Sequence, residues 1–299
     1  MIVIVPREVV EVMLADGMCV QAEWDRLAVV AMVRPEFFTL TEPINHTQRR
    51  FYGTANHPST MAIIKQHDRI LNLFVTQGIR VVEISPASNL PFQFNVRDAA
   101  VVIGSRLVLS RMARVVRSRE PDLLAAALGL QSVLAIPAGR LEGGDVIVTP
   151  SEVFVGLSDR TDEAGYAGLS GLLTGNRTVT PIRLKNSALH LDVALNLLGQ
   201  RLGLIHRPSI IGDLPSSLNG VEWIEVTDEE FAEQAVNVLV LDPGTVMLDA
   251  RHERLRTTLE AKGLRCIPVK LDEITKAGGG IRCMTLPLAR IHTPGFLCC

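Results

Sequence analysis

The residues best suited to chemistry stand in short polar segments that open apolar runs of this sequence. The segments together offer one thiol, one imidazole and several carboxylates, and they are Arg97-Asp98, Glu142–Asp145, His190–Asp192 and Gly278–Cys283. A thiol near an imidazole is the minimal equipment for nucleophilic catalysis, because the thiolate attacks and the imidazolium protonates the leaving group. Carboxylates beside them suit a planar cation with several N–H donors. The residues therefore predict a Cys–His enzyme that acts on a guanidinium or amidinium group.

The polar residues that open these runs, called opening residues below, recur at a nearly constant spacing. Asp98, Asp145, Asp192, Asn237 and Cys283 follow one another at steps of 45 to 47 residues. Such a period indicates a repeated structural unit. If the units close into a ring, the opening residues lie near a common axis, which would bring the thiol, the imidazole and the acids together.

Each repeat contains the same succession of predicted elements. The apolar run forms a hairpin, a helix follows the hairpin, and a short strand such as Arg265–Val269 ends the unit. An earlier unit begins at Asp25-Arg26, with Leu27–Val33 as its first strand. It is longer because of the polar stretch Pro35–Asn56, which we predict to be a loop that could serve as a lid. The pattern predicts five strand–strand–helix–strand units and, because neither end resembles a capping repeat, a closed ring.

The motifs resemble those of the guanidino-group-modifying, or pentein, superfamily, which includes dimethylarginine dimethylaminohydrolases, arginine deiminases and amidinotransferases. The resemblance runs from about Glu23 to Arg290 and rests on five motifs in order, Phe94–Asp98, Glu142–Val146, Gly156–Thr161, Leu189–Asp192 and Gly278–Thr285. It implies an α/β fold, the pentein α/β propeller, with five ββαβ units around a pseudo-five-fold axis. We expect a single domain over residues 23–290, an N-terminal extension over residues 1–22 and a C-terminal tail over residues 291–299.

The resemblance also implies roles for individual residues. Cys283 matches the nucleophile that forms a covalent thiouronium with the guanidino carbon. His190 matches the general acid that protonates the departing amine and then activates water. Glu142 matches the carboxylate that binds the guanidinium and stabilises the imidazolium. Asp98 matches the acid that holds the guanidinium, and Asp192 matches a second such acid in the deiminase-like members.

Two arginines complete the expected site. Arg117 and Arg160 fall where arginine deiminases keep the arginines that bind the substrate α-carboxylate, and the match is looser at Arg117. Asp145 is expected only to cap a turn at the start of its strand, since Glu142 already supplies the functional acid. The remaining histidines are scattered without ligand spacing, so we predict neither a metal site nor a cofactor.

The substrate is less constrained than the chemistry. Our first hypothesis is hydrolysis of a C–N bond of an Nω-methylated arginine, which gives citrulline and a methylamine. Asp192, in place of a lysine, and Arg97, in place of an acid, resemble arginine deiminases instead. Arginine hydrolysis to citrulline, or to ornithine by a dihydrolase, is therefore the main alternative, and an amidinotransferase is another. Cys283 and His190 argue against a non-catalytic scaffold of the same fold.

Composition sets the limits of this interpretation. The chain has 299 residues, 47% hydrophobic and 21% charged, with a formal net charge of −2, which suits one large core. Near-neutral charge and few aromatics argue against a nucleic-acid partner, and the lack of an apolar run of about 18 residues argues against a membrane span. The five cysteines form no CxxC motif, which favours a reducing cytoplasm over a disulfide framework. We expect a small guanidino compound as partner, and a homo-oligomer is compatible with the sequence.

Overall fold

The protein combines strands and helices in a mixed α/β architecture. The computed structural model describes residues 17–130, 133–175 and 177–292. Residues 1–16 and 293–299, which hold most of the two expected terminal segments and also Cys298 and Cys299, lie outside the described residues. Within the described ranges the strands form five sheets of three strands each.

All five sheets share one pairing pattern, in which the central strand is antiparallel to one neighbour and parallel to the other. The strands are, sheet by sheet, β1 (Arg26–Val33), β2 (Arg80–Ile84) and β15 (Leu286–Ile291); β3 (Ala100–Ile103), β4 (Arg106–Leu109) and β5 (Leu134–Ala135); β6 (Val146–Val148), β7 (Glu152–Leu157) and β8 (Thr178–Arg183); β9 (Leu195–Gly199), β10 (Leu202–Ile205) and β11 (Glu222–Glu225); β12 (Leu239–Asp242), β13 (Thr245–Asp249) and β14 (Arg265–Val269). The helices are α1 (His46–Phe51), α2 (Thr60–Thr76), α3 (Glu120–Ala127), α4 (Glu163–Leu172), α5 (Asp228–Ala232), α6 (Glu253–Ala261) and α7 (Asp272–Lys276).

A helix joins the central strand to its parallel neighbour in all of these sheets but one. In the sheet of β9, β10 and β11, short 3-10 turns at Arg207–Ser209 and Ser216–Leu218 replace it. The prediction that a helix follows every hairpin is therefore wrong for this unit. Pro208, Gly212 and Pro215 lie in the joining segment and disfavour a helix there.

The sheet of β15, β1 and β2 corrects the expected order of the earliest unit. β1 is its central strand, because β1 pairs antiparallel with β15, where Arg26 lies opposite Ile291, and parallel with β2. The run after Cys283 supplies the first strand of this sheet, so Asp25 is not equivalent to the other opening residues. The two ends of the described chain are thus joined in one sheet.

The core consists of apolar strands that are buried along their length and of the inner faces of the helices. All residues of β3 and of β6 are buried, as expected for strands covered on both faces. α2 begins after Ser59, whose hydroxyl caps the helix, and it turns Ile63, Ile70 and Phe74 inward. These three positions share one helical face, so their burial orients the helix against its sheet.

The three cysteines in the described ranges differ in their bonding. Cys19 is disulfide-bonded, whereas Cys266 and Cys283 are free thiols. In the described part of the chain, no helix has the length and apolar character needed to cross a membrane.

Candidate active site

Short 3-10 turns carry the predicted site residues to the starts of the first strands. Asp98 lies in the turn before β3, Glu142 directly precedes the turn before β6, and His190 directly precedes the turn that holds Asp192 before β9. The turn before β6 contacts both of the others. Because the strands that follow are apolar and buried, the polar side chains gather at this end of the sheets, and residues far apart in the sequence converge.

His190 lies at the centre of a buried cluster of acids. Its Nε2 lies 2.9 Å from Oε2 of Glu142, and its Nδ1 lies 3.6 Å from Oδ1 of Asp98. The other oxygen of Glu142 accepts a hydrogen bond from the Ala113 N–H at 3.0 Å, which holds the carboxylate in place. Both ring nitrogens therefore face carboxylate oxygens, an environment that suits a doubly protonated imidazolium.

Neighbouring charges favour the protonated ring. Burial by itself would lower the pKa of His190, but the negative charges of Asp98, Asp145 and Glu142 outweigh it and raise the pKa to about 9. Burial would raise the pKa of Glu142, but the hydrogen bond with His190 and the charge of Arg160 lower it to about 2. Opposite charges in contact stabilise each other's ionised forms. At neutral pH the pair is an imidazolium and a carboxylate, which is the state of a general acid.

Two glycines allow the turns to approach this closely. A Cβ atom at Gly144 would lie 2.7 Å from Nδ1 of His190 and 2.8 Å from Oδ1 of Asp98, and one at Gly143 would lie 2.1 Å from the Arg97 carbonyl oxygen. Side chains cannot occupy these positions without displacing the cluster. The Gly143-Gly144 pair therefore permits the close packing of the turns.

The thiol of Cys283 belongs to the same cluster. The Cys283 carbonyl accepts a hydrogen bond at 3.1 Å from the backbone N–H of Arg97, which ties the loop Gly278–Cys283 to the turn that holds Asp98. Burial, with the negative charges of Asp192 and Asp98, raises the pKa of Cys283 well above its ordinary value. The thiol is therefore protonated at neutral pH in the free protein. A cation bound between the sulfur and the acids would favour the thiolate.

Three carboxylate oxygens near the thiol have no hydrogen-bond donor among the described residues. They are Oδ1 of Asp98 and both oxygens of Asp192. Asp192 lies 3.3 Å from Nε of Arg282, but burial still raises the pKa of this carboxyl group. Buried acceptors without donors cost stability. A planar cation with several N–H groups would satisfy them, and a guanidinium is such a cation.

The two arginines predicted to bind a substrate carboxylate lie against acids of the protein itself. Arg117 donates to Asp98 at 2.6 Å and to Glu120 at 2.7 Å, and Arg160 donates to Glu142 at 3.3 Å. Both guanidinium groups are buried. The structure thus brings both arginines to the cluster, and their contact with a substrate carboxylate stays a prediction.

The segment Pro35–Asn56 lies over the cluster. The prediction that this segment is a loop is wrong in part, because the segment contains α1, which begins after Asn45. The Ile44 carbonyl accepts a hydrogen bond from Nη2 of Arg160 at 2.5 Å. Asn45 packs against Gly278 at the start of the loop Gly278–Cys283. This segment therefore contacts the site from two sides.

A cavity of about 390 Å³ lies between α1 and the segment that carries His190. Its walls include Asn45, Leu189, Val193 and Phe231. Leu189 directly precedes His190, so the cavity adjoins the backbone that holds the imidazole. The imidazole is itself fully buried, so a substrate reaches it only if part of this region opens.

Two supporting residues escape prediction from the sequence. Asp145 does more than cap its turn, because its carboxylate accepts from the Ser158 hydroxyl at 2.7 Å and from the Leu191 N–H at 2.9 Å, which links two loops of the site. Glu120 is the second residue, because it accepts a hydrogen bond from Arg117 at 2.7 Å. Its only sequence signal is the i,i+3 spacing from Arg117, which is common on any helix.

Asp98, Glu142 and His190 also offer ligand atoms within 4.8 Å of one another. A metal ion would require a neutral imidazole as ligand, whereas the pKa of His190 is raised to about 9. A metal ion at this place would therefore have to displace the ring proton.

Comparison with known proteins agrees with the motifs. The profile of the family described as "N,N dimethylarginine dimethylhydrolase, eukaryotic" matches residues 34–290. The uncharacterized protein YkgA of Bacillus subtilis is 30% identical over 273 residues, which cover 90% of this chain and 94% of that protein. An arginine deiminase of Rhodococcus erythropolis is 24% identical over 253 residues, which cover 69% of this chain and 61% of the deiminase.

Solved structures share the fold. A dimethylarginine dimethylaminohydrolase from Pseudomonas aeruginosa, solved with citrulline, superposes with a TM-score of 0.74 at 20% identity and covers 87% of this chain and 99% of its own. SxtG, an amidinotransferase of saxitoxin biosynthesis from Microseira wollei, superposes with a TM-score of 0.78 at 18% identity and covers 94% of this chain and 99% of its own. With the family profile, these likenesses show that the chain belongs to the guanidino-group-modifying, or pentein, superfamily.

Proposed function

We propose that this protein hydrolyses a C–N bond of a small guanidino compound through a covalent intermediate on Cys283. The observation that carries the proposal is the buried cluster in which Asp98 lies 3.6 Å from the imidazole of His190, while the turn that holds Asp98 is hydrogen-bonded at 3.1 Å to the backbone of Cys283. The unpartnered oxygens of Asp98 and Asp192 support a cationic, N–H-rich substrate. No cofactor enters the proposal.

The first half of the reaction uses the charges of the cluster. The substrate cation binds the free carboxylate oxygens, the thiol of Cys283 releases its proton to water, and the resulting thiolate attacks the guanidino carbon. The tetrahedral adduct collapses by breaking one C–N bond, and the departing nitrogen takes a proton from the His190 imidazolium. The products of this half are a free amine, a thiouronium on the sulfur and a neutral imidazole.

The second half returns the enzyme to its starting state. The neutral His190 takes a proton from water, which adds to the thiouronium carbon. The C–S bond breaks as the hydroxyl of the adduct becomes the ureido carbonyl, and the proton it releases restores the thiol. The ureido product leaves with the imidazole protonated again. Glu142, at 2.9 Å from the ring, stabilises the imidazolium at both ends of the cycle.

The first substrate hypothesis remains an Nω-methylated arginine, which would give citrulline and a methylamine. The match to the dimethylarginine hydrolase profile supports it. Arginine is the second candidate, because Asp192 follows the deiminase pattern and because arginine deiminases are among the relatives. Arg117 and Arg160 would bind the α-carboxylate of either substrate after exchanging their present partners. Transfer of the amidino group to an amine is the remaining alternative.

We further propose that the five sheets are blades of a closed α/β propeller. The pairing of β15 with β1 and the contacts among the turns before β3, β6 and β9 support it. In this arrangement Pro35–Asn56 covers the hub, which is the region where the turns before β3, β6 and β9 meet. Movement of Pro35–Asn56 admits the substrate. The domain limits, a cytoplasmic location and a homo-oligomeric state remain predictions.

A substrate panel tests the proposed function. The protein is incubated with asymmetric dimethylarginine, monomethylarginine, arginine and agmatine, and the ureido product and the released amine are both measured. We expect turnover of one of the two arginine classes. Absence of turnover of every compound, with and without an added amine acceptor, would defeat the proposal.

Covalent labelling tests the nucleophile independently of turnover. A haloacetamidine mimics the substrate cation and should alkylate Cys283, so Cys283→Ser should abolish the label. Cys266→Ser is the matched control, because Cys266 is the other free thiol in the described ranges, and it should leave labelling unchanged. Retained labelling of Cys283→Ser would move the nucleophile elsewhere.

A further inference from the structure

Asn237 is the one opening residue that is neither an acid nor the thiol. It stands before β12, 45 residues after Asp192 and 46 before Cys283 in the series of opening residues. Its side chain is 3% exposed. A buried amide at a position where other units carry acids calls for a physical reason.

The amide group of Asn237 holds the loop Gly278–Cys283, called the nucleophile loop below. Its Oδ1 accepts hydrogen bonds from the backbone N–H groups of Arg282 at 3.0 Å and Cys283 at 3.4 Å. Its Nδ2 donates to the Asp192 carbonyl at 3.5 Å. A Cβ atom at Gly280 would lie 2.4 Å from Oδ1 of Asn237, so the glycine allows this contact. One side chain thus connects the loop of the thiol to the loop of an acid that faces it.

The backbone around Asn237 is itself constrained. Gln234 has a φ of 63° and is the only non-glycine residue with positive φ in the described ranges, a conformation that side chains rarely adopt. Asn196 donates to the carbonyls of Val236 and Val238 at 3.0 and 2.8 Å. These contacts go to backbone carbonyls on either side of Asn237, whereas the hydrogen bonds to the loop of Cys283 come from the Asn237 side chain alone.

We propose that Asn237 is a positioning residue for Cys283, which orients the sulfur-bearing backbone through a neutral acceptor. The inference rests on the proposed role of Cys283 as nucleophile. A carboxylate at this position could accept from the same two N–H groups. It would also add a negative charge to a thiol that already faces Asp98 and Asp192, with Arg282 as the cation on its own loop. Like charges disfavour the thiolate, so the amide holds the loop without this penalty.

The pH dependence of Cys283 alkylation by iodoacetamide, followed on its peptide by mass spectrometry, separates geometry from charge. Asn237→Asp keeps the acceptor and adds the charge. It should raise the thiol pKa and slow alkylation at pH 8 by about tenfold, the effect of one pKa unit. Asn196→Ala is the matched control, because it also removes a buried amide from this interface. It should lower Tm and leave the alkylation profile unchanged.

Either of two outcomes overturns the proposal: a wild-type alkylation profile in Asn237→Asp, or the same change of profile in Asn196→Ala. Should Asn237→Asp fail to fold, Asn237→Ala carries the test. It should lower kcat about tenfold or more with KM nearly unchanged, and an unchanged kcat per folded molecule would contradict the proposal. Alkylation requires no turnover, so this result is distinguishable from a failed substrate panel.

Discussion

Replacing Glu142 by glutamine tests whether this carboxylate sets the protonation state of His190. Glutamine keeps the shape of the side chain and the oxygen that accepts from the Ala113 N–H at 3.0 Å. It removes the negative charge that lies 2.9 Å from Nε2 of His190. Because the packing is preserved, a change in the pKa of His190 reports the electrostatic contribution of Glu142.

The expected size of the effect follows from the site. A pKa raised from 6.5 to about 9 corresponds to a preference of about 3 kcal/mol for the imidazolium. Glu142 shares this effect with Asp98 and Asp145. A hydrogen bond to a charged group contributes about 1.5 to 3 kcal/mol, so the variant should lower the pKa of His190 to between about 7 and 8. Since the imidazolium protonates the leaving amine, activity should be lost at a correspondingly lower pH.

Two measurements follow the titration, the NMR signal of the His190 ring proton and the basic limb of the kcat profile. Both should move to lower pH together in Glu142→Gln. Glu120→Gln is the control, because it removes another buried carboxylate near the hub whose hydrogen bonds go to Arg117. It should leave the ring titration near pH 9. A ring titration unchanged in Glu142→Gln would refute the assignment of Glu142 as the partner of the imidazolium.

Other predictions address geometry, binding and stability. Gly144→Ala places a Cβ atom within 2.8 Å of the cluster and should lower kcat/KM by about 100-fold, whereas Gly171→Ala, which meets no atom within 4 Å, should not. Asp192→Asn should raise KM by about tenfold or more while changing Tm little, and an unchanged KM would remove Asp192 from the binding site. The free energy of unfolding, measured by urea titration, should fall as pH rises from 5 to 9. The pKa of His190 is raised from 6.5 to about 9 and that of Asp145 from 3.8 to about 7, so the folded state holds protons that the unfolded state releases. A stability that rises over this interval would contradict these protonation states.

The units and their opening residues could be predicted because both are encoded locally. Apolar runs bounded by turn residues favour strands. The regular spacing of Asp98, Asp145 and Asp192 in the sequence corresponds to the repetition of three-stranded sheets in the structure. The capping pattern of Thr227 and Glu230 predicts a helix start, and both of its reciprocal hydrogen bonds are present in α5. These signals involve residues within a few positions of one another.

The missed features depend on pairs that are distant in the sequence. Nothing near Leu286–Ile291 indicates that this strand pairs with β1, because the partner lies at the other end of the chain. Glu23 likewise binds Arg97 at 2.7 Å and Arg282 at 2.9 Å in a buried ion cluster. By residue type alone, any Asp or Glu of the chain could form these two ion pairs. Only the folded chain shows which acid lies there, since burial selects the partner.

Each opening residue lies just before the first strand of its sheet, so the residue type at each one, rather than the fold, distinguishes their chemistry. Acids at Asp98 and Asp192 supply acceptors for a flat cation, but each also raises the pKa of the Cys283 thiol. A third acid at position 237 would strengthen the hold on the cation and weaken the nucleophile. The amide there keeps the loop in place while leaving the charge of the cluster unchanged. In the proposed reaction, a bound guanidinium would offset the charges of Asp98 and Asp192 and thereby favour the thiolate at the moment of attack.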